Sequence, residues 1–169
     1  ELILRYEPKL KRYIYKISSF CEATVEEILQ DVFLSVWKNL KGFDQNLKFS
    51  SWIYQITRNE THSLYRKFKA RGQHRKINLD IEDEILTNID AEFDLPKEMN
   101  QQINQKIVQK IFEMMKPKYR EVLVLKFMED MSYDEIADIL QIPMGTVATL
   151  INRAKKEFKD RLHRQKIDL

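Results

Sequence analysis

The scarcity of chain breakers constrains this protein most. Its 169 residues contain three glycines and four prolines. Sandwiches and barrels need many tight turns, and tight turns need those residues. Long stretches without either, with apolar residues at helical intervals, predict an all-α protein. Hydrophobic residues make up 43% and charged residues 33%, the balance of a folded, soluble chain. One cysteine, Cys21, excludes an internal disulfide framework and fits a reducing compartment. No apolar run is long enough for a bilayer, and no signal-peptide pattern opens the chain. The sequence begins abruptly in a helical pattern, so a trimmed N-terminus and a cytoplasmic location are expected.

Three helices are predicted in residues 1–71. The first carries Leu10, Tyr13, Ile14 and Ile17 on one face. The second, Glu22 to Leu40, carries Ile28, Val32, Val36 and Leu40, widened by Leu29, Phe33 and Trp37. Thr24 and Glu27 predict a capping box at its start, and Gly42 a left-handed stop at its end. The third runs from Phe49 to about Lys69, capped by Ser50 or Ser51, with Trp52, Ile53, Ile56 and Leu64 inward. Residues 72–98 then form an acidic linker, with Gly72 near one end, Pro96 near the other and a short helical piece at residues 81–89. A solvated tether accounts for that acidity.

Residues 99–169 predict a second domain of four helices. Pro117 suits a helix first turn. Ser132 and Glu135 spell a second capping box. A short helix to Leu140, a turn over Gln141 to Pro143 and a longer helix to about His163 have helix-turn-helix dimensions. Ile136, Ala137 and Leu140 are expected to pack against Val147, Leu150, Ile151, Ala154 and Phe158. That leaves Ala148, Thr149, Asn152, Arg153 and Lys156 outward. A plain two-helix hairpin is the competing reading. No charge falls between Gln141 and Asn152, so base reading rests on Thr149, Asn152 and Arg153, with Thr146 nearer the backbone. Asparagine can bond adenine through both amide groups, and the methyl of Ala148 suits thymine. Positive charge gathers further on, at Arg153, Lys155, Lys156 and Lys159.

Two separated blocks resemble one family. SYDEIADILQIPMGTVATLINRAKK (Ser132 to Lys156) looks like region 4 of the extracytoplasmic-function sigma factors. EEILQDVFLSVWKNLKGFD (Glu26 to Asp44) resembles sigma region 2.2, and FSSWIYQITRNETHSLYRK (Phe49 to Lys67) resembles regions 2.3 and 2.4. The resemblance implies a region 2 three-helix bundle and a region 4 four-helix domain, joined by the acidic linker, whose charge it reads as a mimic of nucleic acid instead of a plain tether. It implies a transcription initiation factor that takes core RNA polymerase to promoter DNA, often held by an anti-sigma factor. The matching polymerase-binding positions are Gln30, Asp31, Leu34, Lys38 and Asn39. Those for the minus-10 element are Phe43, Phe49, Asn59, His62, Arg66, Lys67 and Lys69. Aromatic rings and cations together suit an unstacked single strand. Those for the minus-35 element are Thr146, Ala148, Thr149, Asn152, Arg153 and Lys156.

The three histidines are dispersed without cysteine or histidine neighbours at ligand spacing, so no metal site is expected. No glycine-rich phosphate loop and no catalytic cluster are present, so neither a cofactor nor an enzyme is expected. Two other readings remain: a helix-turn-helix regulator with its own effector domain, or a helical interaction protein that does not read promoters.

Overall fold

The computed structural model describes residues 1–18, 20–71 and 101–167, and all regular structure among them is helical. Helix α1 spans Leu2–Ser18, α2 Glu22–Asn39 and α3 Phe49–Ala70. Helix α4 spans Gln101–Met114, α5 Pro117–Leu123, α6 Tyr133–Leu140 and α7 Met144–Ile167. A 3-10 turn, Leu40–Gly42, follows α2, and a π-helical turn, Val124–Met128, follows α5. The expected linker, residues 72–98, lies outside the described residues.

Helices α1, α2 and α3 pack on one another. Leu10, Tyr13, Ile14, Val25, Ile28, Val32 and Ile53 are sealed from solvent between them. Each such side chain contributes about 1.5–3 kcal/mol by leaving water. The outer ends of the expected stripe do not hold. Leu40 is 44% and Trp37 75% exposed. A strict interval of four overshoots a helical turn of 3.6 residues, so each step drifts about 40° round the helix. By Leu40 the stripe has left the buried face.

Three expected helix ends are also corrected. Helix α2 starts at Glu22 with Cys21 in the cap position, and no side chain caps it. Thr24 is therefore inside the first turn, where its hydroxyl meets the Cys21 sulfur at 3.2 Å. Gly42 does not take a left-handed conformation. The chain instead tightens into the 3-10 turn, and Phe43 N–H closes it on the Leu40 carbonyl at 3.3 Å. Helix α3 has Lys48, not Ser50 or Ser51, at its cap position.

The C-terminal half follows its sequence closely. Pro117 occupies the first turn of α5. Both halves of the Ser132 capping box form: Glu135 N–H donates to Ser132 Oγ at 3.2 Å, and Ser132 N–H to Glu135 Oε2 at 2.9 Å. Gln141 ends α6 in the left-handed region at φ 55°, and its side-chain amide bonds the Asp138 carbonyl at 2.7 Å. Pro143 O then accepts from Thr146 N–H at 2.8 Å as α7 begins. Val147, Ile151, Ala154 and Phe158 are fully buried, with Leu150 partly so. Helix α7 packs on α4, α5 and α6.

The two halves also meet. Helix α3 lies against α6, and α1 against α5 and the π turn. Their apolar residues join in one buried cluster.

Candidate nucleic-acid interface

The outer face of α2 presents every residue expected to bind polymerase. Gln30, Asp31, Leu34, Lys38 and Asn39 are all exposed. Trp37, expected inward, stands among them as the largest exposed ring, with Leu34 53% exposed one turn back. An apolar centre ringed by polar side chains is the anatomy of a protein-docking surface. The signal for Trp37 was its heptad offset from Gln30, which places both on one helical face.

Helix α3 presents two polar faces. Asn59 and Arg66, seven residues apart, are exposed, as are Lys67 and Lys69. Beside them lies an aromatic cluster. Phe43 stands 4.8 Å from Trp52 and 5.6 Å from Phe49, centroid to centroid, and Tyr6 covers Phe49 at 5.5 Å. Phe43, Phe49 and Trp52 are each half-buried, so their open sides remain available for stacking. His62 does not stand with Asn59. It turns to the other face, shared with Tyr54 and Arg58, which meets the C-terminal half.

That meeting is built on three carboxylates. Glu121 on α5 is 5% exposed. Its Oε1 accepts from Arg58 Nε at 2.9 Å and Tyr13 OH at 3.2 Å, with His62 Nε2 also at 3.2 Å. Burial pushes the Glu121 carboxyl up, but the His62 hydrogen bond and the Arg58 charge outweigh it and hold it below the ordinary range. Glu129 follows the π turn, where its own N–H reaches back five residues to the Val124 carbonyl. This wide turn directs its side chain inward to Arg12 Nε at 3.0 Å and to the Tyr54 hydroxyl. Glu135, besides closing the capping box, meets Lys48 Nζ at 3.3 Å. None of these pairings was evident in the sequence, because each joins residues 59 or more positions apart.

On α7 the outward residues are placed as expected. Thr146, Thr149, Asn152, Arg153 and Lys156 are exposed and Ala148 is half-buried. Thr149 Oγ1 bonds the Gly145 carbonyl at 3.0 Å, which fixes its rotamer. A groove of 440 Å³ continues from Arg153 and Lys156 toward Lys116, Arg161 and Arg164. Arg161 is neutralised by Glu157 at 2.9 Å, and Asp160 also lines the groove, which Lys116, Arg153, Lys156 and Arg164 leave net positive. Short polar side chains thus lead the exposed face and cations follow further on, an order that suits base contacts ahead of phosphate contacts.

An all-α chain with an exposed apolar patch on α2, an aromatic and basic helix and a helix-turn-helix fits the class of nucleic-acid-directing proteins. The sigma-70 region 2 family model matches residues 2–71, and the sigma-70 region 4 model matches residues 105–158. The ECF RNA polymerase sigma factor SigW of Bacillus subtilis is 36% identical over 165 residues, spanning 93% of this chain and 84% of the relative. Among solved structures, the sigma factor RpoE in complex with the anti-sigma factor NepR, from Bartonella quintana, superposes with a TM-score of 0.72 at 21% identity. It covers 95% of this chain and 94% of that one. CnrH in complex with the cytosolic domain of CnrY has a TM-score of 0.67 at 21% identity, covering 96% and 86%. The chain belongs to the ECF RNA polymerase sigma factors. It is a transcription initiation factor that directs RNA polymerase to promoters. Sigma factors as a class are not enzymes. Among the described residues, no helix is long and apolar enough to cross a membrane.

Proposed function

We propose a division of labour between two domains, residues 1–71 and 99–169, joined by the acidic linker at residues 72–98. The α2 face around Trp37, Asp31 and Lys38 docks on core polymerase. Asn59 reads a flipped base of the minus-10 element, with Phe43, Phe49 and Trp52 as the stacking surface. Arg66, Lys67 and Lys69 hold the phosphates. Helix α7 enters the major groove of the minus-35 element with Thr149, Asn152 and Arg153 toward the bases. The observation that carries this reading is the joint exposure of Asn59 and the half-open aromatic cluster at the start of its helix, in a chain whose helix-turn-helix leaves Thr149, Asn152 and Arg153 exposed. The chain acts by binding, without a reaction of its own, in the bacterial cytoplasm. An anti-sigma factor is its expected inhibitor, since the sigma factor RpoE, which shares this fold, was solved with the anti-sigma factor NepR.

Tethered cleavage tests the division directly. Cys21→Ser removes the native thiol, and Ser63→Cys or Lys159→Cys then carries an iron chelate. In holoenzyme on promoter DNA, cleavage from position 63 is expected near minus-10 and from position 159 near minus-35. Exchanged or coincident cleavage sites would overturn the assignment.

A further inference from the structure

The donors that hold Glu121 come from two helices of the N-terminal half. Tyr13 OH, Arg58 Nε and His62 Nε2 converge on one carboxylate oxygen, and Arg58 also reaches its second oxygen at 3.5 Å. Among the described residues, Glu121 is the acceptor for all three side chains, and no carboxylate of the N-terminal half meets them. Take α5 away and three convergent donors with positive charge face water. That donor set suits a singly charged phosphodiester as well as it suits a carboxylate. Asn59 lies between Arg58 and His62 in sequence and is exposed on the adjoining face.

The closed form cannot serve a two-element promoter. Elements centred about 25 base pairs apart are about 85 Å apart at 3.4 Å per step. A compact chain of this length has a radius of gyration of about 15 Å, hence a breadth of about 40 Å. Reading both elements requires the halves to separate, and separation empties the Glu121 site as DNA arrives.

We propose that Tyr13, Arg58 and His62 form a receiving site for a phosphodiester of the promoter strand, and that Glu121 fills it as an intramolecular stand-in while the chain is closed. Region 4 thereby holds shut the surface that region 2 uses on DNA. This rests on the reading of α3 as the minus-10 surface.

The test uses the full-length protein and a mixed-sequence 12-nucleotide single-stranded DNA, because a phosphate contact needs no particular sequence. Glu121→Gln keeps the side-chain shape and removes the charge. It is expected to enlarge the scattering radius and tighten oligonucleotide binding on the order of tenfold, as a closed population is released. It should also steepen the salt dependence by about 0.7 in log–log slope, one phosphate on a single strand. Adding Arg58→Gln should cancel both gains. If Glu121→Gln opens the chain without tighter binding, or the gain survives Arg58→Gln, the phosphate site is refuted. If Glu121→Gln stays closed, the triple variant with Glu129→Gln and Glu135→Gln is measured, and a chain still closed refutes the latch. Circular dichroism checks that each variant is folded. Should these results hold while wild-type protein fails to direct polymerase, the promoter-reading assignment falls and the site stands.

Discussion

Tyr13 and Tyr54 stand 5.2 Å apart, ring centroid to ring centroid, yet their hydroxyls part: Tyr13 donates to Glu121 and Tyr54 to Glu129. The aromatic pair belongs to the N-terminal core, while its polar ends belong to the boundary with region 4. One pair of rings therefore couples the packing of region 2 to the closure of the whole chain.

Tyr54→Phe isolates the polar part of that coupling. The ring and its packing stay, and buried Glu129 loses a donor while Arg12 remains. A lost hydrogen bond to a buried charged group costs about 1.5–3 kcal/mol. Urea unfolding of the whole chain should register it, and Tyr13→Phe should behave alike. No change in midpoint for either variant would mean that the boundary contributes nothing to folding.

Closure should weaken in acid. Glu121 has its carboxyl held below the ordinary range in the folded chain. A depressed folded value means that the ionised form is favoured by folding. Its contribution is complete above the unfolded value, about 4.3, and is lost as pH falls through the lower folded value. Glu135 shifts the same way: burial raises it, and the Ser132 backbone and hydroxyl bonds with Lys48 outweigh burial. Scattering from pH 7 down to pH 3 should show expansion in that window, and Glu121→Gln should flatten the profile. An unchanged profile in the variant would remove Glu121 from the account.

Trp37→Ala separates docking from folding. The ring is 75% exposed, so stability should move by less than about 0.5 kcal/mol, as for ordinary surface changes. Core polymerase affinity should fall by about 2 kcal/mol or more if Trp37 anchors the interface. Equal polymerase binding would place docking elsewhere.

Asn59→Ala and the pair Arg66→Ala with Lys67→Ala should fail differently. The first should reduce discrimination among minus-10 sequences and leave polymerase binding near normal. The second should weaken all promoters evenly and flatten the salt dependence by about 1–2 units, roughly one per phosphate contact. Sequence-selective loss in the charge variant would mean that those side chains read bases.

Much of this was legible in the sequence, where the cause was local. Val147, Ile151, Ala154 and Phe158 repeat at helical intervals, and all four are buried. The Ser132 box forms because both partners lie in one turn. The outward set on α7 followed from the same periodicity. Local signals failed where a neighbour competed, as at Thr24, whose hydroxyl meets Cys21 inside a helix that had already begun. They failed again at Trp37, where an interval of four was carried past the buried face. The carboxylate boundary was not legible at all. Glu121 and Glu129 find their donors 59 to 117 residues away, and no window of sequence holds both ends.

The most direct measurement is transcription in vitro with the host's core polymerase on genomic fragments, with start sites mapped for wild type, Asn59→Ala and Asn152→Ala. Defined starts are expected downstream of paired elements. Asn59→Ala should relax selection only at the minus-10 element and Asn152→Ala only at the minus-35 element. Defined starts whose element preferences ignore both substitutions would contradict the assignment of α3 and α7 as the two promoter-reading helices.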